Sequence, residues 1–554
     1  MDANYADTLR QAVVAHRQGN LKQAERLYKI VISAPLSLTD KDRDREVVAL
    51  AYNNLGFARQ HNGDLDAAIE NYRQAINVKP DNHEAHNNLG YTLALKGDLK
   101  GAIASYKEAI RIKPDFIEAY YHMGQALQER GDLRASIESY NQLLKFKPDS
   151  ADAFNARGAV LQLKGELDAA IESYHQVLNL DSNYYEAYNN MGSAWQAKGD
   201  LDRAIECFDQ ALKIKPEYAS ALNNKGHALF DKGETDAAID CYKEAIQKNP
   251  DSVESYNNLA NALRETGNYE EALKVFEIID EPRFKKAFEV SPSKPLYWIN
   301  AKSQLLECLY ILGRYEQLEE RIKQLAESGD KNRRVSAVAA FIADQLKIDN
   351  PHTFCKNPLD FVHVGNLGNY VSDIDSFIAD LIEEGDRESQ VWEPIHGVTK
   401  SGFATSNTMF HAGQNCTTLE EILRHEIAFY RNSFESEDCE FIRQWPAEYD
   451  LKGWFVRLVR NGHQRSHIHP AGWLSGVVYL KTLDLSDSEE GAIELGLHGF
   501  ELPILDDSYE RKVHRPKAGE ILLFPSSLFH RTIPFSQDTD RCVIAFDMHP
   551  AVRF

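Results

Sequence analysis

A chain of 554 residues is longer than one hydrophobic core organises, so it must hold several domains or a repeat array. Its formal net charge of −22 argues against nucleic acid and anionic membrane as partners and leaves basic or neutral ones. Seven scattered cysteines with no C-x-x-C pair, no basic N-terminal segment and no apolar run near the ~20 residues of a membrane span fit a cytoplasmic protein with free thiols.

In chain order, a first helical unit is expected around Asp7 to Pro35, with Gly19 and Ala24, followed by a charged insert from Leu36 to Glu46. From Val47 to Pro282 the sequence repeats itself. Glycines recur every 34 residues at Gly56, Gly90, Gly124, Gly158, Gly192 and Gly226, and a second series runs from Gly63 to Gly267 at the same step. Small residues such as Ala68 and Ala204, aromatics such as Tyr72 and Phe208, and closing prolines such as Pro80 and Pro216 keep the same period. The first glycine lets two helices touch, the second makes the turn, and proline stops the second helix. These residues resemble the tetratricopeptide repeat (TPR), which implies an all-α superhelical solenoid of seven units whose first helices line a concave groove.

Along the first helices an asparagine stands two positions before the glycine, or before Ala260 in the last unit, at Asn54, Asn88, Asn190, Asn224 and Asn258, with His122 and Ala156 interrupting. A carboxamide offers one acceptor and two donors, matching a peptide unit. The ladder is similar to that in the repeats of O-linked N-acetylglucosamine transferase, and the resemblance implies a protein or peptide gripped by its backbone. The alternative is that asparagine here belongs only to the helix-surface consensus.

Degraded helical pairs are expected near Pro295 to Glu327 and Arg333 to Lys347, which makes residues 283–347 a cap. A junction with bracing helices, near Ser372 to Glu384 and Leu419 to Asn432, fills residues 348–452, with a loop at Gly397 and Gly402 between the helices. Strands begin at Gly453, and residues 453–554 form the β core. The polar loops Leu483 to Glu490 and Leu502 to Pro516 are candidate lids.

The chemistry concentrates in Ser466-His467-Ile468-His469-Pro470-Ala471-Gly472-Trp473-Leu474-Ser475. Two histidines one residue apart, entering an apolar β-branched run, put both imidazoles on one side of an extended segment. A third, His530, ends the strand that begins near Gly519, and Arg541 opens another strand eleven residues later. With Gly491-Ala492-Ile493-Glu494-Leu495-Gly496 and Leu523-Phe524-Pro525-Ser526 up to His530-Arg531-Thr532-Ile533-Pro534, these motifs resemble the 2-oxoglutarate/Fe(II) dioxygenases, close to a bacterial, prolyl-hydroxylase-like group. The resemblance covers about Phe354 to Phe554 and implies a double-stranded β-helix, or jelly roll, that uses Fe(II), 2-oxoglutarate and O2.

It implies His467, His469 and His530 as iron ligands, Arg541 as the anchor of the distal 2-oxoglutarate carboxylate, and Tyr479 as a further hydrogen bond to it. Most of the superfamily has a carboxylate where His469 stands. A second arrangement therefore has His469 as first ligand and Ala471 in the acid's place. Glu494 is either the displaced acid or a solvated glutamate. His463, His498, His514 and His549 are read as structural or solvated, and Trp473 as core. The leading function is a dioxygenase that hydroxylates a protein or peptide held by the repeats. The alternatives are an adaptor with an inactive oxygenase-like domain, and a small-molecule oxygenase that uses its repeats for assembly.

Overall fold

The computed structural model describes residues 3–33, 41–284, 295–329, 332–350, 352, 354–355, 357–392, 398–483, 488–500 and 502–551. The chain divides into two compact units, residues 1–250 and 251–554. None of the described helices is long and apolar enough to cross a membrane.

The first unit is helical throughout, seven successive pairs running from Ala3–Arg17 with Leu21–Ile32 to Ala219–Asp231 with Thr235–Lys248. The pair Tyr185–Ala197 and Leu201–Ile214 shows why the period is strict. A Cβ on Gly192 would stand 2.7 Å from the Phe208 ring, so the two helices touch only because that position is glycine. Gly199 makes the turn at φ 83°, and Asp200 then accepts the Arg203 N–H to cap the second helix. Ala204 and Phe208 are fully buried beneath this turn. The helix Lys41–His61 takes in the charged run Lys41 to Glu46, which the sequence reading set apart as an insert.

The second unit opens with two more pairs, Val253–Glu265 with Tyr269–Ile279 and Pro295–Ile311 with Tyr315–Glu327. Arg333–Leu346 follows as one helix where a pair was expected. It has no need of a partner of its own, because every residue from Val335 to Ala343 is buried between the preceding helices and the β layer. Glu307, with no exposed surface, is held by Arg264 at 2.7 Å and Arg334 at 3.4 Å.

Among the described residues ten strands make the β domain: β1 (His363–Asn366), β2 (Gln390–Trp392), β3 (Thr399–Thr405), β4 (Tyr449–Gln464), β5 (Leu474–Lys481), β6 (Ile493–Gly496), β7 (Arg511–His514), β8 (Glu520–Pro525), β9 (Phe529–Thr532) and β10 (Arg541–Pro550). A seven-stranded sheet runs β1-β8-β5-β10-β4-β3-β2 and a three-stranded sheet β7-β6-β9, with every pairing antiparallel. From β5 onward the chain crosses between the sheets in the manner of a jelly roll. Strands β1 to β3 precede the expected start at Gly453 and extend the large sheet at both edges. Gly402 falls within β3 where a loop was expected, and Gly397 lies outside the described residues.

Alternation along the strands separates two cores. Val478, Ile521, Leu523, Ile544 and Phe546 pack outward against the bracing helices Ile374–Arg387 and Gln414–Ser433. Val477, Tyr479, Leu522, Phe524 and Val543 face inward to Ile493 and Leu495 of the small sheet. The candidate site residues Tyr479, His530 and Arg541 line the space beside this inner layer.

Candidate metal centre

The segment from Ser466 to His469 extends the small sheet. His467 and His530 exchange backbone hydrogen bonds at 3.1 Å in each direction, and His530 in turn stands opposite Leu495 on β6. Residues directly opposite in such a pairing share a face. His467, His530 and, two residues on, His469 therefore point inward, while Ile468 and Phe529 point outward to pack on Ala337. One nitrogen from each of the three rings lies within 4.8 Å of the others, which leaves a centre no more than about 2.8 Å from all three.

Each Nδ1 is already engaged: in His467 with the Arg465 carbonyl at 2.6 Å, in His469 with the Asp547 carboxylate at 2.7 Å, and in His530 with the Leu528 carbonyl at 3.1 Å. Those oxygens only accept, so each Nδ1 carries a proton and donates, which leaves Nε2 as the nitrogen open to a ligand. Burial and the neighbouring imidazoles hold His467 down to about 3 and His530 well below the ordinary histidine range. Three imidazoles with one nitrogen each engaged and the other ring edges brought together are what a transition-metal site requires, so the residues present fit Fe(II).

Asp547 was not anticipated. It is buried on β10, and it also accepts the Ser475 hydroxyl at 2.7 Å. Burial alone would raise its carboxyl, but His469 and Ser475 outweigh that and hold it below the usual carboxylate range. A carboxylate thus stands one hydrogen bond behind the His469 imidazole. Strand alternation from Arg541 through Val543 and Ala545 to Asp547 was the available signal. Trp454 stacks on the His469 ring, with centroids 5.5 Å apart and planes within 16°.

Arg541 enters the same pocket, which is also lined by Tyr479, Gln464 and Thr532. A register shift between Cys542 and Val543 sits at the start of β10, beside Arg541. Arg541 is 2% exposed, its guanidinium lies 5.2 Å from the Tyr479 ring centre, and it forms no ion pair among the described residues. The Arg541 Nε and the Tyr479 hydroxyl have no hydrogen-bond partner there. Burial raises the Tyr479 phenol to about 12, so it stays a donor.

Ala471 is exposed, and its carbonyl accepts from Arg333 at 3.2 Å. Glu494 lies outside the histidine cluster and is neither an acid ligand nor solvated. It is 9% exposed and pairs in two-pronged fashion with Arg531 at 3.0 and 2.9 Å. His498 bonds the Leu502 carbonyl, His514 meets Glu520, and Trp473 is buried with its indole N–H on the Phe441 carbonyl.

In the first unit the asparagines pair between consecutive repeats. Asn88 donates to Asn53 at 3.1 Å, Asn190 to Asn155 at 3.1 Å and Asn224 to Asn189 at 3.0 Å. These bonds take one N–H from each donor carboxamide. Asn54, Asn88, Asn190, Asn224 and Asn258 are all half-buried.

Comparison with known proteins agrees with this division. Residues 452–547 match the family described as "Putative 2OG-Fe(II) oxygenase". TPR models match residues 61–97, 90–131, 128–165, 161–198, 185–218 and 226–267, as well as 8–28, and a PPR repeat model matches 254–281. The chain thus carries TPR repeats followed by a region, residues 452–547, that matches that oxygenase family. Among solved structures, MamA protein is 30% identical over 31% of this chain and 93% of its own, with a TM-score of 0.29. YrrB, described as a TPR protein with an unusual peptide-binding site, is 22% identical over 33% of this chain and 95% of its own, at 0.28. MamA from Desulfovibrio magneticus RS-1 is 19% identical over 31% and 96%, at 0.29. No curated protein matches the chain.

Proposed function

We propose that the protein is an Fe(II)- and 2-oxoglutarate-dependent dioxygenase that hydroxylates a peptide or protein engaged by its repeats. The observation that carries this reading is one pocket lined by three clustered imidazoles together with a buried arginine that no carboxylate among the described residues pairs with. A buried, unpaired guanidinium is costly, and a dicarboxylate cosubstrate removes the cost. An inactive adaptor has no use for that arrangement.

In this assignment His467, His469 and His530 would hold the metal, and Asp547 orients His469 while adding negative charge behind it. The ion supplies oxidative decarboxylation of 2-oxoglutarate by O2, with hydroxylation of the substrate. Arg541 would receive the distal carboxylate, and the Tyr479 hydroxyl would donate to the same group. The apolar walls Val477, Ile493, Phe524 and Val543 keep water from the reacting centre. The half-buried asparagines of the repeats retain amide groups able to bond a peptide backbone. Seven free thiols suit a cytoplasmic setting.

The test is conversion of 2-oxoglutarate to succinate by the purified full-length protein with Fe(II) and O2. Turnover that disappears in Arg541→Gln is expected. A protein that binds both Fe(II) and 2-oxoglutarate yet forms no succinate with any protein or peptide mixture would overturn the assignment.

A further inference from the structure

The helix Arg333–Leu346 lies outside the β domain in sequence but touches the metal centre at several points. Arg333 donates from Nε to the Pro470 carbonyl at 2.8 Å and from Nη2 to the Ala471 carbonyl at 3.2 Å, the two residues that follow His469. Its guanidinium also stands 5.5 Å from the Trp473 ring centre, so it grips both ends of the turn 470–473. One turn further along the helix, Ala337 packs on Ile468 and Phe529, with Phe500 against them. Ile468 separates two of the histidines and Phe529 precedes the third. Outward-facing neighbours of all three imidazoles thus rest on this one helix.

The far end of the helix does a different job. The Gln345 side chain accepts the backbone N–H groups of Leu505 and Asp506 at 2.7 and 2.9 Å and donates to the Asp506 carbonyl at 2.8 Å. Tyr310 adds a bond to the Pro503 carbonyl at 2.8 Å. The segment expected as a lid is therefore tied to the helices at Pro503 to Asp506, and its later part forms β7.

We propose that the Arg333–Leu346 helix is a wall of the metal centre and that Arg333 is a positioning residue for His469. This rests on the metal-site reading above. The physical argument is that His469 is constrained from two directions. Asp547 fixes the ring, and Arg333 fixes the backbone turn that carries it, by neutralising two carbonyls with a single rigid, planar donor. With either constraint gone, the imidazole can still reach the ion but spends part of its time elsewhere.

The experiment uses full-length protein and Co(II) as the probe, reading affinity and the visible absorption spectrum. Arg333→Gln is expected to bind Co(II) about 10–100-fold more weakly, the usual cost of losing an outer-shell partner, with an altered spectrum. Arg333→Lys, which keeps the charge and one donor to Pro470, should restore part of both. Gln345→Ala, on the same helix but bonded to residues 505–506, should leave both unchanged. Wild-type affinity and spectrum in Arg333→Gln would overturn the inference, as would an equal loss in Gln345→Ala, which would mean that helix docking in general is responsible. Should Arg333→Gln fail to fold, Arg333→Lys decides: a several-fold weaker Co(II) affinity supports the role and wild-type affinity removes it. Failure of the wild-type protein itself to take up Co(II) would instead sink the metal-site reading, and this inference with it.

Discussion

The repeats and the metal centre solve the problem of holding a side chain in opposite ways. In the first unit the asparagine bonds span 35 residues, one repeat and its neighbour, and the same contact recurs along the array. At the metal centre His469 is fixed by Asp547, 78 residues away, while its turn is fixed by Arg333, 137 residues from Pro470. A lesion in a repeat should stay within that repeat and its neighbours. A lesion at the centre should reach several ligands at once, because each partner belongs to a different element.

The largest expected effect is at the ligands. His530→Ala should abolish stoichiometric metal binding while helical circular dichroism stays at the wild-type level. A variant that still binds one ion tightly would break the comparison from the β side. Next, Asp547→Asn keeps the shape but removes the charge behind His469, and metal affinity should fall about 10–100-fold in a competition titration. Equal affinity in the two proteins would show that the missing acid ligand is not compensated from this position.

On the repeat side, Gly192→Ala places a methyl where the Phe208 ring stands at 2.7 Å. It should cost about 1–3 kcal/mol in urea unfolding, with metal affinity unchanged. Loss of metal binding in that variant would deny that the two regions are independent. The smallest effect concerns Glu426, which braces edge strand β1 through His363 at 2.8 Å and the Tyr370 hydroxyl. Burial would raise its carboxyl, but those two bonds outweigh it and lower the pKa below the ordinary 4.5. Its contribution is therefore present above pH 4.5 and lost as pH falls through the lowered value. Glu426→Gln should lower the melting temperature at pH 7 by the equivalent of about 1 kcal/mol, and the gap should close in acid. A gap that stays the same in acid would mean that the bracing does not depend on the charge.

What could be read from the sequence follows the same contrast. A period of 34 residues is visible because each repeat carries its own glycine, small residue and aromatic, so the helix pairs are written locally. His467, His469, His530 and Arg541 stand out because strand alternation and motif order are also local. Asp547 needed one further inference, that every second residue of β10 faces inward. Arg333 left no signal at all, since a guanidinium on a degraded repeat helix looks the same whether it meets solvent or two carbonyls from a distant turn. The edge strands β1 to β3 were missed for a related reason: they are three to seven residues long and take their register from strands far along the chain.

The central claim is that the three imidazoles and Arg541 serve one ligand pair, an ion and a dicarboxylate chelated to it. The direct measurement is an anaerobic calorimetric titration of the full-length protein with 2-oxoglutarate, with and without Fe(II). Binding should be at least about tenfold tighter with the ion present, and it should be lost in Arg541→Gln. Binding that is indifferent to Fe(II), or unchanged in Arg541→Gln, would contradict the account.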